Sequence, residues 1–536
     1  MIALLVVLLY VLVLIGVGWH SSRKVSGSTD FLLAGRRLGP VILVGTLVAT
    51  WTGTGSIFGN AEEAYGVGLP SLVLPLASML GIFALLIMVP RIRRRDRFTL
   101  QDVLEESYGP WARVLGTVTL VSAYLVIVSY QLRAANAVLE GVLDGVFREA
   151  AASADGEASM AGSVAHAFAS AGAWLDHTFR SMGVSVEHGD NTAGLLLLAL
   201  LIAGYTALAG LMSVALTDTM NGLLMLLGVG IALPLVWMAA VHGLEQAALA
   251  SGGVPPGEGV IRPVLEALPE SARHVTGHYS TVHILSILLP AFLLVMGDAN
   301  LHQRFLAAGS AKAARRAALL FIPAVLVVDA LILLTAVAGR VVLPGIENPG
   351  HIILRLALEP GILPPLLGGL LVASILAVIV STADSYLLSS SASLVRDVFQ
   401  RFLKREASER SMLVVARVVV VVLTGCAFVM ALQSSRFFEI SLFAYTIYGV
   451  GITPALVAAL FWKRATRLGA LASMIAGPLT AILWKVFGWN TVLAQHFAEP
   501  ELEKVSAVVP AICVSTVVLF GLSVSTTSPD RSRRPG

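Results

Sequence analysis

Runs of about 20 mostly apolar residues, repeated along almost the whole chain, constrain this sequence more than any other feature, because that is the length a helix needs to cross about 30 Å of hydrocarbon. Thirteen such runs are centred at residues 2–19, 40–59, 72–90, 111–135, 192–209, 214–241, 281–299, 317–339, 362–388, 411–432, 440–461, 470–487 and 504–524. In lipid only helices or closed barrels satisfy the backbone, and these runs are too long and too continuously apolar for the alternating strands of a barrel. The expected fold is therefore an all-α polytopic membrane protein with 13 transmembrane helices. Composition agrees, with 57% hydrophobic and 13% charged residues against about a quarter charged in soluble domains. A soluble enzyme and a disordered chain are both excluded. The opening run, Ile2 to Trp19, lacks a basic leader and a small-residue cleavage site, and Arg23 and Lys24 follow it. It reads as a first span rather than a signal peptide.

Orientation follows from where Lys and Arg fall. Loops on one side carry Arg23, Lys24, Arg36, Arg37, the cluster Arg91 to Arg97, Arg304, Lys312, Arg315 and Arg316. The same side continues with Arg396 to Arg410, Lys463 to Arg467, and Arg531, Arg533 and Arg534 of the tail. That side holds about two thirds of the basic residues, which by the positive-inside rule puts the N-terminus outside and the C-terminus in the cytoplasm. An odd number of spans is required, and thirteen satisfies it. The net charge of +3 comes with no basic block suited to nucleic acid. Cys426 and Cys513 lie in apolar runs and suit lipid-facing or packing roles, with no disulfide framework or thiolate metal site. Two outside loops are long, 146–190, an insertion able to hold a surface helix, and 242–280, with a Pro/Gly stretch from Gly252 to Gly259. The tail from residue 525 onward is polar and cytoplasmic.

Function is expected where spans contain groups that lipid would not tolerate. The second run carries Ala49-Thr-Trp-Thr-Gly-Thr-Gly-Ser56 at its middle. Unwound there, a helix would present carbonyls to a cation and amides to a carboxylate; Gly and Thr equally permit close helix packing. The ninth run carries Ser381, Thr382, Asp384 and Ser385, and spacings of three and four put Ser381, Asp384 and Ser385 on one face. A carboxylate within a span is costly and faces a partner or a wet cavity; Asp384 could instead sit solvated at the cytoplasmic end, near Arg396. Asp218, flanked by Thr217 and Thr219, has the same two readings. No zinc-protease, Walker-type or nucleophile-elbow motif occurs, so an ion gradient is the expected energy source, and the chain is not an enzyme.

Tyr205-Thr-Ala-Leu-Ala-Gly-Leu-Met-Ser-Val-Ala-Leu-Thr-Asp-Thr-Met-Asn221 resembles the signature of the sodium:solute symporter family, Tyr-Thr-x-x-Gly-Gly-Leu-x-x-Val-x-x-Thr-Asp-x-x-Gln, departing at Ala209 and Asn221. Gly35-Arg-Arg-Leu-Gly-Pro40, Gln303-Arg-Phe-Leu-Ala-Ala, Lys312 to Arg316, Ser381-Thr-Ala-Asp-Ser385, Pro454 and Trp462 to Ala470 extend the resemblance in order along the chain. It implies a LeuT-like core of two inverted five-helix repeats, residues 40–241 and 281–461. One span (1–20) precedes the core and two (470–524) follow it. It also implies alternating access around a site at the broken helices, in a multi-pass protein of the cell membrane.

The resemblance further implies a sodium site from the carbonyls of Ala49, Thr52 and Val378 and the hydroxyls of Ser381 and Thr382, uncharged oxygens that suit a hard cation which must also leave. Some members use a second ion; the matching positions here are Asp218, Ser381, Asp384 and Ser385, where a second sodium, a proton or a structural salt bridge all fit. Candidate solute contacts are Thr50, Trp51, Thr54, Ser56, Tyr124, Gln131, Tyr445 and Tyr448, with Arg133 either neutralising a carboxylate or snorkelling outward. Pro290 to Gly297, where sugar carriers of the family place amides, is apolar here. A small amino acid or monocarboxylate is therefore expected rather than a sugar. The expected partners are that solute, co-transported sodium and the lipid bilayer, without nucleic acid or organic cofactor, and the chain is expected to act as a monomer. A passive channel or a membrane sensor on the same fold are the competing functions.

Overall fold

A computed structural model describes residues 2–22, 34, 37–95, 99–152, 160–182, 191–208, 210–251, 259–275, 279–433, 437–497 and 499–526. The orientation signals Arg23, Lys24, Arg36 and Arg97, the Pro/Gly stretch through residue 258, Ala209 of the signature and the tail from 527 lie outside the described residues.

Among the described residues each of the thirteen apolar runs is helical over most of its length. In chain order the helices are α1 (Ile2–Ser22), α2 (Pro40–Trp51), α3 (Ala61–Val67), α4 (Leu74–Arg94), α5 (Leu100–Tyr108), α6 (Pro110–Ala152) and α7 (Met160–Ser181). They continue with α8 (Thr192–Leu208), α9 (Leu211–Ala250), α10 (Ile261–Ala267), α11 (Thr281–Gly297), α12 (Ala299–Ala307) and α13 (Ala311–Val342). The last are α14 (Ile352–Leu358), α15 (Pro365–Ser393), α16 (Glu409–Ala431), α17 (Phe437–Phe461), α18 (Arg467–Val486), α19 (Trp489–Phe497) and α20 (Val508–Ser525). Among the described residues ten helices are long and apolar enough to cross a bilayer, or eleven if α2 and the segment Gly55–Val67, bent by 56°, count as one broken span. The runs 2–19 and 192–209 form shorter apolar helices. Helix α7 occupies the 146–190 insertion.

Burial grades outward from α15. Eighty-three per cent of its most apolar window is buried, against 33% for α18 and 28% for α20. Small residues allow this central position: a Cβ added at Gly368 would lie 2.2 Å from the Ala357 carbonyl oxygen, and one at Gly369 3.0 Å from Ala3 Cα. Helices pack around α15 along most of its length, leaving Leu366 near its N-terminus exposed, so the helix richest in hydroxyls is also the most buried of the long apolar ones. Cys426 and Cys513 are free and exposed on the outer helices, consistent with lipid-facing positions. Between α1 and α2, Leu38 pairs with the end of α12, its N–H donating to Ala307 O at 3.1 Å and its carbonyl accepting from Gly309 N at 3.0 Å.

Candidate functional site at two helix breaks

The hydroxyl- and glycine-rich middle of the second run is unwound. Helix α2 stops at Trp51, and Thr52 has φ −77° and ψ 84°, outside the helical region. Gly53 N–H donates to Trp51 O at 3.0 Å instead of to Ala49 O four residues back, and Thr54 N–H donates to Gln131 Oε1 at 3.3 Å instead of to Thr50 O. Ser56 N–H likewise turns to Gly53 O. The i to i−4 donors expected for the carbonyls of Ala49, Thr50 and Thr52 are thus directed elsewhere. The chain resumes as a π-helical turn, Gly55–Asn60, leading into α3, a geometry that recurs at functional sites.

This break packs on α15. Thr382 Oγ1 donates to Ala49 O at 3.4 Å. A Cβ placed on Gly53 would lie 3.0 Å from Thr382 Oγ1 and 2.9 Å from Gln131 Nε2, so only glycine lets the unwound strand approach this closely. Thr52 Oγ1 is buried without a hydrogen-bond partner.

A second interruption separates α11 from α12 at Asp298, which sequence reading did not locate. Asp298 (φ −63°, ψ 108°) caps α12, its Oδ1 accepting from Asn300 N at 3.2 Å and from the Tyr124 hydroxyl. Tyr448 spans the gap, donating to Gly297 O at 2.9 Å and accepting from Ala299 N at 3.0 Å. Tyr124 and Gln131, seven residues apart on α6, project from one face and brace the two breaks: Tyr124 holds Asp298, and Gln131 accepts from both the backbone and the hydroxyl of Thr54. Gly-Asp-Ala-Asn in an apolar run was the available signal, since Asp and Asn favour helix N-caps.

Between the breaks lies a buried ion pair. Arg304 Nη2 meets Asp218 Oδ2 at 3.0 Å, both side chains fully buried. The guanidinium also donates to Thr46 Oγ1 at 2.9 Å, to Ser385 Oγ at 2.5 Å, to the Asn300 carbonyl at 3.3 Å and to the Asn300 side chain. Asp218 accepts in addition from Thr46 Oγ1 and Ser381 Oγ, both at 2.5 Å. Two charges out of water persist only when their remaining hydrogen-bonding capacity is met, and here α2, α9, α12 and α15 all supply partners. Arg304 is therefore removed from the loop cations that orient the chain: the interruption at Asp298 keeps α12, all nine of its residues buried, inside the protein, where a count of residues between apolar runs places it in a loop.

The candidate residues separate accordingly. Ala49 and Thr382 are in contact, and Ser381 is adjacent but bonded to Asp218. Asp218 and Ser385 meet around Arg304, whereas Asp384, 2% exposed, accepts from Thr206 of α8, so it is neither solvated nor paired with Arg396. Thr50 Oγ1 is 3.4 Å from Ser385 Oγ. Trp51, Ser56 and Tyr445 line a cavity of about 40 Å³ with Asn60 and Ser78; Tyr445 also accepts from the Tyr130 hydroxyl at 3.4 Å. Thr54 and Gln131 are bonded to each other, and Tyr124 and Tyr448, stacked with centroids 5.3 Å apart, serve the second break. Arg133 Nη1 donates to Ala431 O, the last carbonyl of α16, at 2.8 Å. Asp329, buried in α13, also went unnoticed, although a carboxylate in the run 317–339 was signal enough.

The model of the sodium:solute symporter family matches residues 31–150 and 164–477, passing over 151–163 inside the insertion. The high-affinity proline transporter of Bacillus subtilis (strain 168) is 24% identical over 527 residues, 96% of this chain and 96% of that protein. The osmoregulated proline transporter of the same organism is 22% identical over 491 residues, 90% and 88% of the two chains. A sodium/proline symporter of Staphylococcus aureus (strain JH9) is 24% identical over 543 residues, 98% and 93%. Among solved structures, a sodium-coupled sialic acid symporter in a substrate-bound outward-open state superposes with a TM-score of 0.68 at 16% identity, covering 98% of both chains. MhsT in complex with L-phenylalanine gives 0.52 at 15% identity, covering 90% and 98%. These structures share the fold, which is LeuT-like.

Proposed function

The chain belongs to the sodium:solute symporter family, a multi-pass membrane transporter and not an enzyme, and from that premise we propose that it imports a small organic solute together with sodium by alternating access. The observation that carries the sodium half is the contact of the α2 break with α15. The Ala49 carbonyl and the Thr382 hydroxyl are 3.4 Å apart. Calcium, close to sodium in size, takes oxygens at about 2.3–2.6 Å, and two such ligands at a right angle lie about 3.3–3.7 Å apart. The spacing thus suits two ligands of one ion, and the Thr52 carbonyl, whose helical donor Ser56 N–H turns to Gly53 O instead, is available as a third. Ala49, Thr52, Val378, Ser381 and Thr382 are the proposed sodium ligands.

At the second-cation positions the structural salt bridge is the favoured reading, since the Arg304 guanidinium already joins Asp218 to Ser385. Asp384, on Thr206, is left outside that cluster.

The proposed topology has thirteen spans, the N-terminus outside and the C-terminus cytoplasmic, in the cell membrane. The two breaks fall in the first helix of each proposed repeat, 40–241 and 281–461, as inverted repeats require. An amino acid is favoured as the solute: the wall formed by Pro290 to Gly297 lacks side-chain amides, the cavity at Trp51, Ser56 and Tyr445 is small, and the relatives above are proline transporters. Sodium joins α2 to α15, while the solute cavity is lined by the same α2 break together with α4, α11 and α17; the break is common to both, so each ligand raises the other's affinity reciprocally.

Uptake into proteoliposomes under an inward sodium gradient, across amino acids, carboxylates and sugars, tests this. Accumulation of one solute that collapses with the gradient is expected, with Ser381→Ala and Thr382→Ala raising the sodium requirement but not reducing insertion. Flux indifferent to the gradient, or unchanged sodium activation in both variants, would overturn the proposal.

A further inference from the structure

Asp329 is a buried carboxylate that the transport scheme above leaves unused. It lies near the middle of the 32-residue helix α13, is 2% exposed, and its Oδ1 has no hydrogen-bond partner. Helix α13 packs against the π-helical turn Gly55–Asn60, which brings the Ser56 side chain and the Tyr445 hydroxyl within electrostatic reach of the carboxylate. Two other buried acids of the described residues have a cation beside them. Asp218 has Arg304 at 3.0 Å, and Asp397 has Arg113 at 3.5 Å with Thr99 and Thr117 donating. Asp298 holds the Tyr124 hydroxyl and the Asn300 amide. Asp384 has only Thr206, but it borders neither break. Among the described ion pairs none includes Asp329.

A bare carboxylate in the middle of a membrane is costly, and such groups persist where they meet a partner or a wet cavity. Both conditions point to the same place. Ser56 lies in the π-helical turn that follows the α2 break and lines the cavity of about 40 Å³ shared with Trp51 and Tyr445. A water requires about 10–15 Å³ on this measure, so the space admits a group the size of an ammonium or a partly hydrated ion.

We propose that Asp329 and Ser56, with the cavity beside them, form a subsite for a compact monovalent cation, supplied by the ammonium group of the transported solute or by a second sodium ion. It deepens the symport reading, on which it rests, and its Ser56 lies seven residues along the broken helix from Ala49, the Thr382 contact. The side chains of Asp329 and Ser56 supply anionic and neutral oxygen together, a combination suited to either cation.

The test uses the full chain in lipid nanodiscs. Equilibrium binding of ²²Na⁺ counts sodium per chain. Binding of L-proline and L-alanine is compared with that of their nitrogen-free counterparts, cyclopentanecarboxylate and propionate. If the cation is the solute's ammonium, Asp329→Asn weakens binding of the amine-bearing solute by at least about tenfold, leaves its nitrogen-free counterpart unaffected, and leaves the sodium count unchanged. If it is sodium, Asp329→Asn removes one sodium per chain and lowers the steepness of sodium activation, with solutes affected equally. Either pattern supports the subsite. Asp329→Asn matching the wild type in sodium count and in amine preference overturns it. Should Asp329→Asn fail to fold, Ser56→Ala, which removes only the hydroxyl, is expected to show the same pattern at smaller size, and its identity with the wild type is equally fatal. Should none of these solutes bind, the sodium count decides, an unchanged count in the variant refuting the proposal. Failure of the symport reading looks different: the wild type itself would bind no sodium, or Thr382→Ala would leave sodium binding intact.

Discussion

Replacing Arg304 by Met is the perturbation for which the structure supplies the most complete set of consequences. The guanidinium is fully buried and meets Asp218 at 3.0 Å, with Thr46, Ser385 and Asn300 completing its bonds. Without it Asp218 keeps two hydroxyl donors, Thr46 and Ser381, but no positive charge. Removing one member of a buried pair costs about 3–5 kcal/mol, because the other charge stays buried and uncompensated. Asp218→Asn should cost a similar amount, stranding the guanidinium. In the double variant neither charge remains, Thr46 and Ser381 can still donate to the carbonyl oxygen of the introduced side-chain amide, and the methionine fills much of the arginine's space. The double variant should therefore cost about 3 kcal/mol less than the sum of the single ones, at the upper end of pairwise couplings and equal to a factor of about 150 in the folded-to-unfolded ratio. Reversible unfolding of the four proteins in mixed detergent micelles, followed by tryptophan fluorescence in sodium-free buffer, closes this cycle. Additivity within about 0.5 kcal/mol, the behaviour of independent sites, would refute the reasoning: the two charges would then not compensate each other.

Two further outcomes follow from the breaks. Gly53→Ala would place its Cβ 3.0 Å from Thr382 Oγ1 and 2.9 Å from Gln131 Nε2, and both side chains are held by other bonds; the half-saturating sodium concentration for uptake should rise about tenfold, equivalent to overpacking by about 1–3 kcal/mol, and an unchanged value counts against the α2–α15 sodium contact. Tyr124→Phe deprives Asp298 of a hydroxyl donor when its Oδ2 already lacks a partner. The loss should be about 1–3 kcal/mol in the same unfolding assay, and a change below about 0.5 kcal/mol would mean that Tyr124 does not brace the second break.

Much of the fold was legible because its signals are local. Apolar runs of bilayer length identify helices whatever surrounds them, whereas Gly and Thr in the middle of the second run allow either an interruption or close packing, and the 56° bend shows the interruption. The second break was missed because Gly297 and Asp298 end an apolar run that a hydropathy window counts as continuous; TM-length bookkeeping passes over one non-helical residue. Arg304 was misplaced for a related reason. It stands between two apolar runs, and only the packing of α12 against α2, α9 and α15 shows that it never reaches a loop. Tyr124 and Gln131 were singled out for a solute, yet both hold the backbone of a break, which one-dimensional spacing cannot distinguish from lining a pocket.

By itself the sequence determined that this is a polytopic helical membrane protein of a particular transporter family, because hydrophobic length and short motifs are properties of contiguous residues. Tertiary structure decided which polar groups face one another: that Asp218 meets an arginine 86 residues away, that Thr382 reaches Ala49, and that Asp329 has no cation beside it among the described ion pairs. In a low-dielectric interior the energy of a charge is set by what lies within a few ångströms, and those neighbours come from helices far apart along the chain.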